Sequence, residues 1–168
     1  LLTAMDRPLG IACGNALEIA ESVDCLRGAG PLDLRELVCT LGGTMLRDTG
    51  VAADAPEGAH RIAASLDAGS ALEAFMGVVQ NQGGDPATIE DPSRLPQAPD
   101  LETVSAAEDG CFSYADVRSV GLAVVALGGG RRVLGDVIDP GVGVRCLRQA
   151  GDEVQVGDAL FEVHHTGG

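Results

Sequence analysis

Few residue groups in this chain have types and spacings that could do chemistry. Gly128-Gly129-Gly130-Arg131-Arg132 is the most conspicuous. Mobile backbone N–H groups beside two guanidinium groups could hold an anion. Phosphate cradles, however, precede a helix, where the positive end of the dipole points at the ligand, and these glycines follow a predicted helix. A helix C-cap with a turn is the expected reading, and an anion site is the alternative. Cys13, Cys25, Cys39, Cys111 and Cys146 are an odd, widely spaced set with no C-x-x-C. They are expected to be reduced thiols packed as small hydrophobes, not a zinc site. His60, His164 and His165 are all expected on the surface.

These groups need elements to position them. Asn15 with Glu18, Asp54 with Glu57 and Ser70 with Glu73 each have the spacing of a capping box, in which a short polar side chain and a carboxylate three residues on cap one helix start. The first predicted helix covers about residues 16–26 and stops at Gly28 and Gly30. The second follows Pro31 and ends near Gly50, with Leu34, Leu37, Val38, Leu41, Met45 and Leu46 as its apolar stripe. The third starts after Asp54, carries Ile62 and Leu66, and ends at Gly69. The fourth starts after Ser70, carries Leu72, Phe75, Met76 and Val79, and stops near Gly83. Residues 84–100 hold four X-Pro pairs and read as an extended linker. Residues 101–106 and 111–114 then read as strands around a Glu108-Asp109-Gly110 turn. Residues 116–127 read as a helix, and strands follow near 142–147, 153–156 and 159–164. The organisation is therefore a helical part over 1–83, a linker over 84–100 and a strand-rich part over 101–168. Leu1-Leu2-Thr3 reads as the end of a buried strand, so the chain is expected to be a piece of a longer protein.

Composition narrows the function. The chain has 168 residues and a net charge of −14. Phosphate backbones and anionic membranes repel such a chain, so neither nucleic acid nor membrane is an expected partner. All 11 basic residues are arginine. Without lysine, a Schiff base, a P-loop lysine and an attached biotin or lipoyl group are excluded within these residues. No tryptophan is present and aromatics are 2%, which disfavours base-stacking and sugar-stacking surfaces.

One run of residues points to a family. Met5-Asp6-Arg7-Pro8-Leu9-Gly10, then Gly14-Asn15-Ala16-Leu17-Glu18 and Glu21, resembles a stretch of the thymidine and pyrimidine-nucleoside phosphorylases. The similarity continues, in order, through residues 28–34, 69–73, 81–85, 95–97, 128–132 and 139–143. Residues 151–160 also resemble the hairpins of biotinyl- and lipoyl-carrier domains. Those domains need an acceptor lysine, so here only a barrel-like architecture is carried over.

The family resemblance implies an α/β fold class. Helices of the large α/β domain would precede a strand-rich, barrel-like (α/β-hammerhead-like) carboxy-terminal domain. It implies a pyrimidine (deoxy)nucleoside and phosphate as substrates, and a free pyrimidine and (deoxy)ribose 1-phosphate as products. It places the catalytic and substrate-binding residues outside this chain, so the chain alone is expected to be inactive. It implies a cytoplasmic homodimer of nucleotide salvage, with no organic cofactor. It also implies a monovalent cation, potassium, held by the backbone carbonyls of Leu9 and Ala12 and the carboxylate of Glu21. Nine helical residues rise about 13 Å, too far for one ion to span. Residues 9–14 are therefore expected to be non-helical, folding back along a helix that starts after Asn15. Two other classes stand beside this reading: a non-catalytic interaction module, and a phosphoribosyltransferase of related architecture. The strand-rich tail and the lack of a paired-carboxylate magnesium site argue against the latter.

Overall fold

The computed structural model describes residues 1–167. The chain forms two compact units. One comprises residues 1–19 and 95–168, and the other residues 20–94, so the division falls within the first helix.

The unit of residues 20–94 is helical. Helix α1 (Asn15–Leu26) enters it, followed by α2 (Leu32–Asp48), α3 (Ala55–Asp67) and α4 (Ser70–Asn81). All four lie within a residue or two of their expected limits, because glycines mark their ends. Gly28, Gly50, Gly69 and Gly83 take positive φ values of 73–82° that side-chain-bearing residues rarely adopt. Only one of the three expected capping boxes forms. The Asp54 carboxylate accepts from the Glu57 N–H at 2.8 Å. Glu57 reaches back to the Ala53 N–H, one residue before the cap, at 2.8 Å. Those bonds hold its carboxyl below the usual range, the Ala53 N–H first and Arg61 second. At α4 the cap is Gly69, and the Ser70 hydroxyl pairs with Ser65 instead. At α1 the Asn15 amide reaches out of the helix altogether.

The packing of α2 also departs from expectation. Val38, Leu41 and Met45 of its apolar stripe are exposed. The only buried residue of α2 is Gly43. A Cβ on Gly43 would stand 2.5 Å from the Ala59 nitrogen and 2.6 Å from the Ala55 oxygen. One on Gly58 would stand 2.5 Å from the Gly43 oxygen. The two helices thus cross backbone to backbone, through residues that hydropathy patterning does not weight.

Residues 84–100 are not uniformly extended. They contain a four-residue helix, α5 (Ala87–Glu90), and a 3-10 turn (Pro92–Arg94). Asp85 accepts from the Ala87 N–H and Asp91 from the Ser93 N–H, so the aspartates start these turns. The Arg27 guanidinium donates to the Ile89 and Glu90 carbonyls at 2.9 and 2.7 Å, closing the end of α5.

The other unit is built on β1 (Ala12–Cys13), β2 (Asp100–Ser105), β4 (Gly143–Cys146) and β6 (Ala159–His165), in the order β1-β4-β6-β2. Every pairing is antiparallel. A second sheet pairs β3 (Gly110–Cys111) with β5 (Glu153–Val154). Helix α6 (Arg118–Ala126) packs its Val124 against Val144 and Cys146, with Cys13, Tyr114, Phe161 and Val163 around them. Phe112, Tyr114 and Phe161 meet edge to face, with centroids 4.9–6.3 Å apart.

β2, β4, β5 and β6 lie near their expected positions, β3 covers only the start of the expected 111–114 strand, β1 was not expected, and the pairings differ from expectation. Residues 101–106 and 111–114 are not hairpin partners: β2 pairs with β6, and β3 with β5. Residues 1–3 form no strand, and Leu1 and Leu2 are exposed, because no described strand pairs with them. The described strands form an open sheet, giving a mixed α/β architecture. No single described helix is long and apolar enough to cross a membrane.

Candidate functional site

Residues 9–14 are non-helical, as expected, and α1 begins at Asn15. Leu9 lies in a turn and is exposed, and Gly10 beside it takes φ +68°. Ala12 is buried in β1, the edge strand of its sheet, opposite Arg145. The Cys146 N–H donates to the Ile11 carbonyl at 2.7 Å. Leu9 and Ala12 belong to one unit, whereas Glu21 lies half-buried on α1 in the other. Among the described residues, no three or more His, Cys, Asp or Glu side chains gather as a metal cluster.

Glycines hold this segment against the carboxy-terminal strands. Gly14 takes φ +141°, and a Cβ on it would stand 2.6 Å from the Val142 oxygen. A Cβ on Gly143 would stand 2.5 Å from the Cys13 oxygen. The Ala16 N–H donates to the Pro140 carbonyl at 3.0 Å. The Asn15 side-chain amide donates to the Gly129 carbonyl at 3.2 Å. The expected role of Asn15 is a cap, and nothing local in the sequence signals a partner 114 residues away.

The Gly128–Gly130 run is a helix terminus, not an anion cradle. Gly128 takes φ +98°, and the Gly129 N–H donates to the Val124 carbonyl at 2.9 Å. The Arg132 guanidinium donates to the Ala126 carbonyl at 3.1 Å, within the last turn of α6. Asp136 accepts the Arg132 and Val133 N–H groups at 2.9 and 3.1 Å. The Val133 bond first and the Arg132 bond second hold its carboxyl low, so it stays charged and repels an anion there.

The remaining groups are structural. All five cysteines are free; Cys25 and Cys146 are buried and Cys111 is exposed. Burial pushes the Cys25 thiol up, away from the reactive thiolate. Burial likewise raises the Tyr114 phenol, which donates to the Arg148 carbonyl at 3.0 Å. His60 is exposed, but His164 and His165 are half-buried on β6, contrary to the surface expectation.

The His164 imidazole lies on the sheet face that carries Arg145 and Glu162. Its Nε2 is buried with no hydrogen-bond partner among the described residues. Burial pushes its pKa below the ordinary 6.5 despite Glu162, and Arg145 adds to the lowering. The unfolded chain therefore binds the proton more readily. Stability is expected to fall as pH drops below 6.5 toward the folded value. His164→Gln should flatten that acid-side loss in urea unfolding followed from neutral to mildly acidic pH.

Comparison with known proteins gives the class and then the relatives. Residues 111–167 match the pyrimidine nucleoside phosphorylase C-terminal domain. The chain is 40% identical over 164 residues to the pyrimidine-nucleoside phosphorylase of Bacillus subtilis (strain 168). It is 39% identical to that of Staphylococcus aureus (strain bovine RF122 / ET3-1) and 38% to that of Geobacillus stearothermophilus. Each alignment covers 98% of this chain but 38% of the relative. The chain is similar to the pyrimidine-nucleoside phosphorylases, spans 38% of the length of these relatives, and matches that family's C-terminal domain over residues 111–167.

Proposed function

We propose that this chain serves a pyrimidine (deoxy)nucleoside phosphorylase. The observation that carries this reading is the 40% identity along 98% of the chain to an enzyme of that name. In the reaction, a phosphate oxygen attacks the anomeric carbon and the glycosidic C–N bond breaks. The pyrimidine leaves with the bonding pair and takes up a proton. The products are the free base and (deoxy)ribose 1-phosphate. Rate would come from placing the anionic phosphate beside an oxocarbenium-like centre and from stabilising the departing base. No residue of this chain is assigned to contact substrate, and its part is to scaffold the phosphate-bearing domain. Residues 101–168 would form a barrel-like, α/β-hammerhead-like module. The whole enzyme is read as a homodimer of pyrimidine salvage in the cytoplasm, without an organic cofactor. The net charge of −14 argues against nucleic acid and membrane as partners.

A monovalent cation, potassium, fits the donors this chain offers. Leu9 and Ala12 would supply neutral carbonyl oxygens and Glu21 one carboxylate, a set suited to a weakly hydrated ion. Such an ion, when bound, would supply positive charge that steadies the phosphate-bearing region. The support is the non-helical run of residues 9–14 that precedes α1.

The test measures thymine and uracil release from thymidine and uridine, with and without phosphate, in potassium and in sodium. The protein carrying this chain at full length should release base only with phosphate. The 168 residues alone should release none. Glu21→Ala in the longer protein should raise the potassium needed by roughly tenfold or more, since supporting groups alone shift metal affinity by 10–100-fold. Release from the 168 residues alone would overturn the placement of the chemistry elsewhere. No release from the longer protein would favour an interaction module or a phosphoribosyltransferase.

A further inference from the structure

We propose that Cys13 and Cys146 form a two-thiolate site for a soft cation that takes two ligands in line, of which Hg(II) is the divalent type. Both residues belong to one unit. Cys13 of β1 lies opposite Val144 of β4, and Cys146 is two residues further along β4. Side chains alternate along a strand, so the two thiols share one face of the sheet as diagonal neighbours. On that face Val124 of α6, Val144 and Cys146 form the buried cluster, with Cys13 packed against it. Cys146 is 3% exposed and Cys13 is half-buried, so the pair is sealed at one thiol and reachable at the other. The Tyr114 phenol stands beside both. Burial raises its pKa first, a hydrogen bond with Cys146 second, and the nearness of the Cys146 and Cys13 sulfurs adds to the rise. Its own proton goes to the Arg148 carbonyl at 3.0 Å, which leaves its oxygen as an acceptor toward the thiols.

Spacing and ligand number select the ion. Diagonal neighbours on paired strands keep their Cβ atoms somewhat under about 7 Å apart. A disulfide needs Cβ atoms about 3.8 Å apart, so the two thiols cannot join directly unless a strand moves. A metal–thiolate bond is about 2.3 Å, so two in line set the sulfurs about 4.6 Å apart, a span that fits the diagonal. Structural zinc takes four ligands, and iron–sulfur clusters take four thiolates. Among the described residues no third His, Cys, Asp or Glu joins the pair. Thiolates are soft donors and pass over hard cations such as magnesium. On binding, each S–H releases its proton to solvent and each sulfur forms one bond to the metal; no electrons are transferred. A divalent ion with two thiolates is neutral, and an apolar cluster tolerates a neutral complex where it would reject a charged one.

The test titrates mercuric chloride, against excess 2-mercaptoethanol, into the full-length protein carrying this chain and into its Cys13→Ala, Cys146→Ala and doubly substituted variants. Bonding to the second thiolate is intramolecular, which strengthens two-point binding by roughly 10²–10⁴-fold. Each single variant should therefore lose one equivalent of tightly bound metal, the remaining thiol binding about a hundredfold more weakly or worse. The double variant should lose no more than either single one. Proton release should differ by two per metal between parent and double variant. Tyr114 is the one tyrosine of this chain, so the share of tyrosine emission that Tyr114→Phe removes should be quenched as this equivalent binds. A tight equivalent that survives in either single variant overturns the proposal, because one thiol then suffices. A parent that binds no more tightly than the double variant overturns it too. Where Cys146→Ala does not fold, the half-buried Cys13→Ala decides: with unchanged circular dichroism, loss of the equivalent and of the quenching supports the pair, and retention of both overturns it.

Discussion

Gly58→Ala is expected to lower the stability of the helical unit by about 3 kcal/mol, because overpacking costs up to that much where neighbours cannot yield. The added methyl would stand 2.5 Å from the Gly43 oxygen and 2.8 Å from its Cα. Both are backbone atoms, so no rotamer change relieves the clash and the helices must part. The melting midpoint should fall by roughly 15 °C for a unit of this size. Two controls separate the clash from helix propensity. At Gly42 the obstacle is the Ile62 side chain, with its Cγ1 at 2.9 Å, which can move aside. Gly42→Ala should therefore cost far less. At Gly77, within α4, nothing lies within 4 Å. Gly77→Ala should stabilise by about 0.5–1 kcal/mol, the ordinary gain from alanine in a helix. If all three variants melt together, the close helix crossing is wrong.

Gly14→Ala is the second large expected loss, again about 3 kcal/mol, and it joins two causes. Its φ of +141° disfavours any side chain, and the methyl would stand 2.6 Å from the Val142 oxygen. Either effect must push β1 from β4. Amide exchange at Cys146 should then accelerate, since its N–H is held by Ile11 on the moved strand. The potassium response should be lost as well. Gly157→Ala is the contrast, because its φ is +91° with nothing within 4 Å. Backbone strain alone should cost it about 1 kcal/mol. Slow exchange at Cys146 in Gly14→Ala would contradict the close approach.

The helices were legible because their signals are local. Leu34, Leu37 and Leu46 recur at helical spacing, and Gly28, Gly50, Gly69 and Gly83 close the turns. Strand positions were legible for the same reason, but strand partners were not. Nothing in residues 101–106 says that β6 rather than β3 will pair with them, because that choice is made by closing nearly sixty residues of chain. The helix crossing escaped notice because it is made by Gly43 and Gly58, which add nothing to an apolar stripe. Asn15 escapes a local reading for the opposite reason: its position signals a cap, but its Nδ2 donates to the Gly129 carbonyl 114 residues away. The non-helical 9–14 segment came from the family resemblance combined with the rise of a helix, not from residue patterning.

The interleaving of the two units bears on how the chain acquires its structure. Residues 20–94 are complete in themselves as they emerge during synthesis, and their contacts are largely between neighbouring helices. β1, by contrast, must wait for β4, whose residues follow about 130 positions later. Loop closure of that length is slow, and pairing of that separation forms late. The helical unit can thus nucleate while β1 is still an unpaired, exposed edge, and the span between their completion is the period in which the nascent chain is open to misassembly.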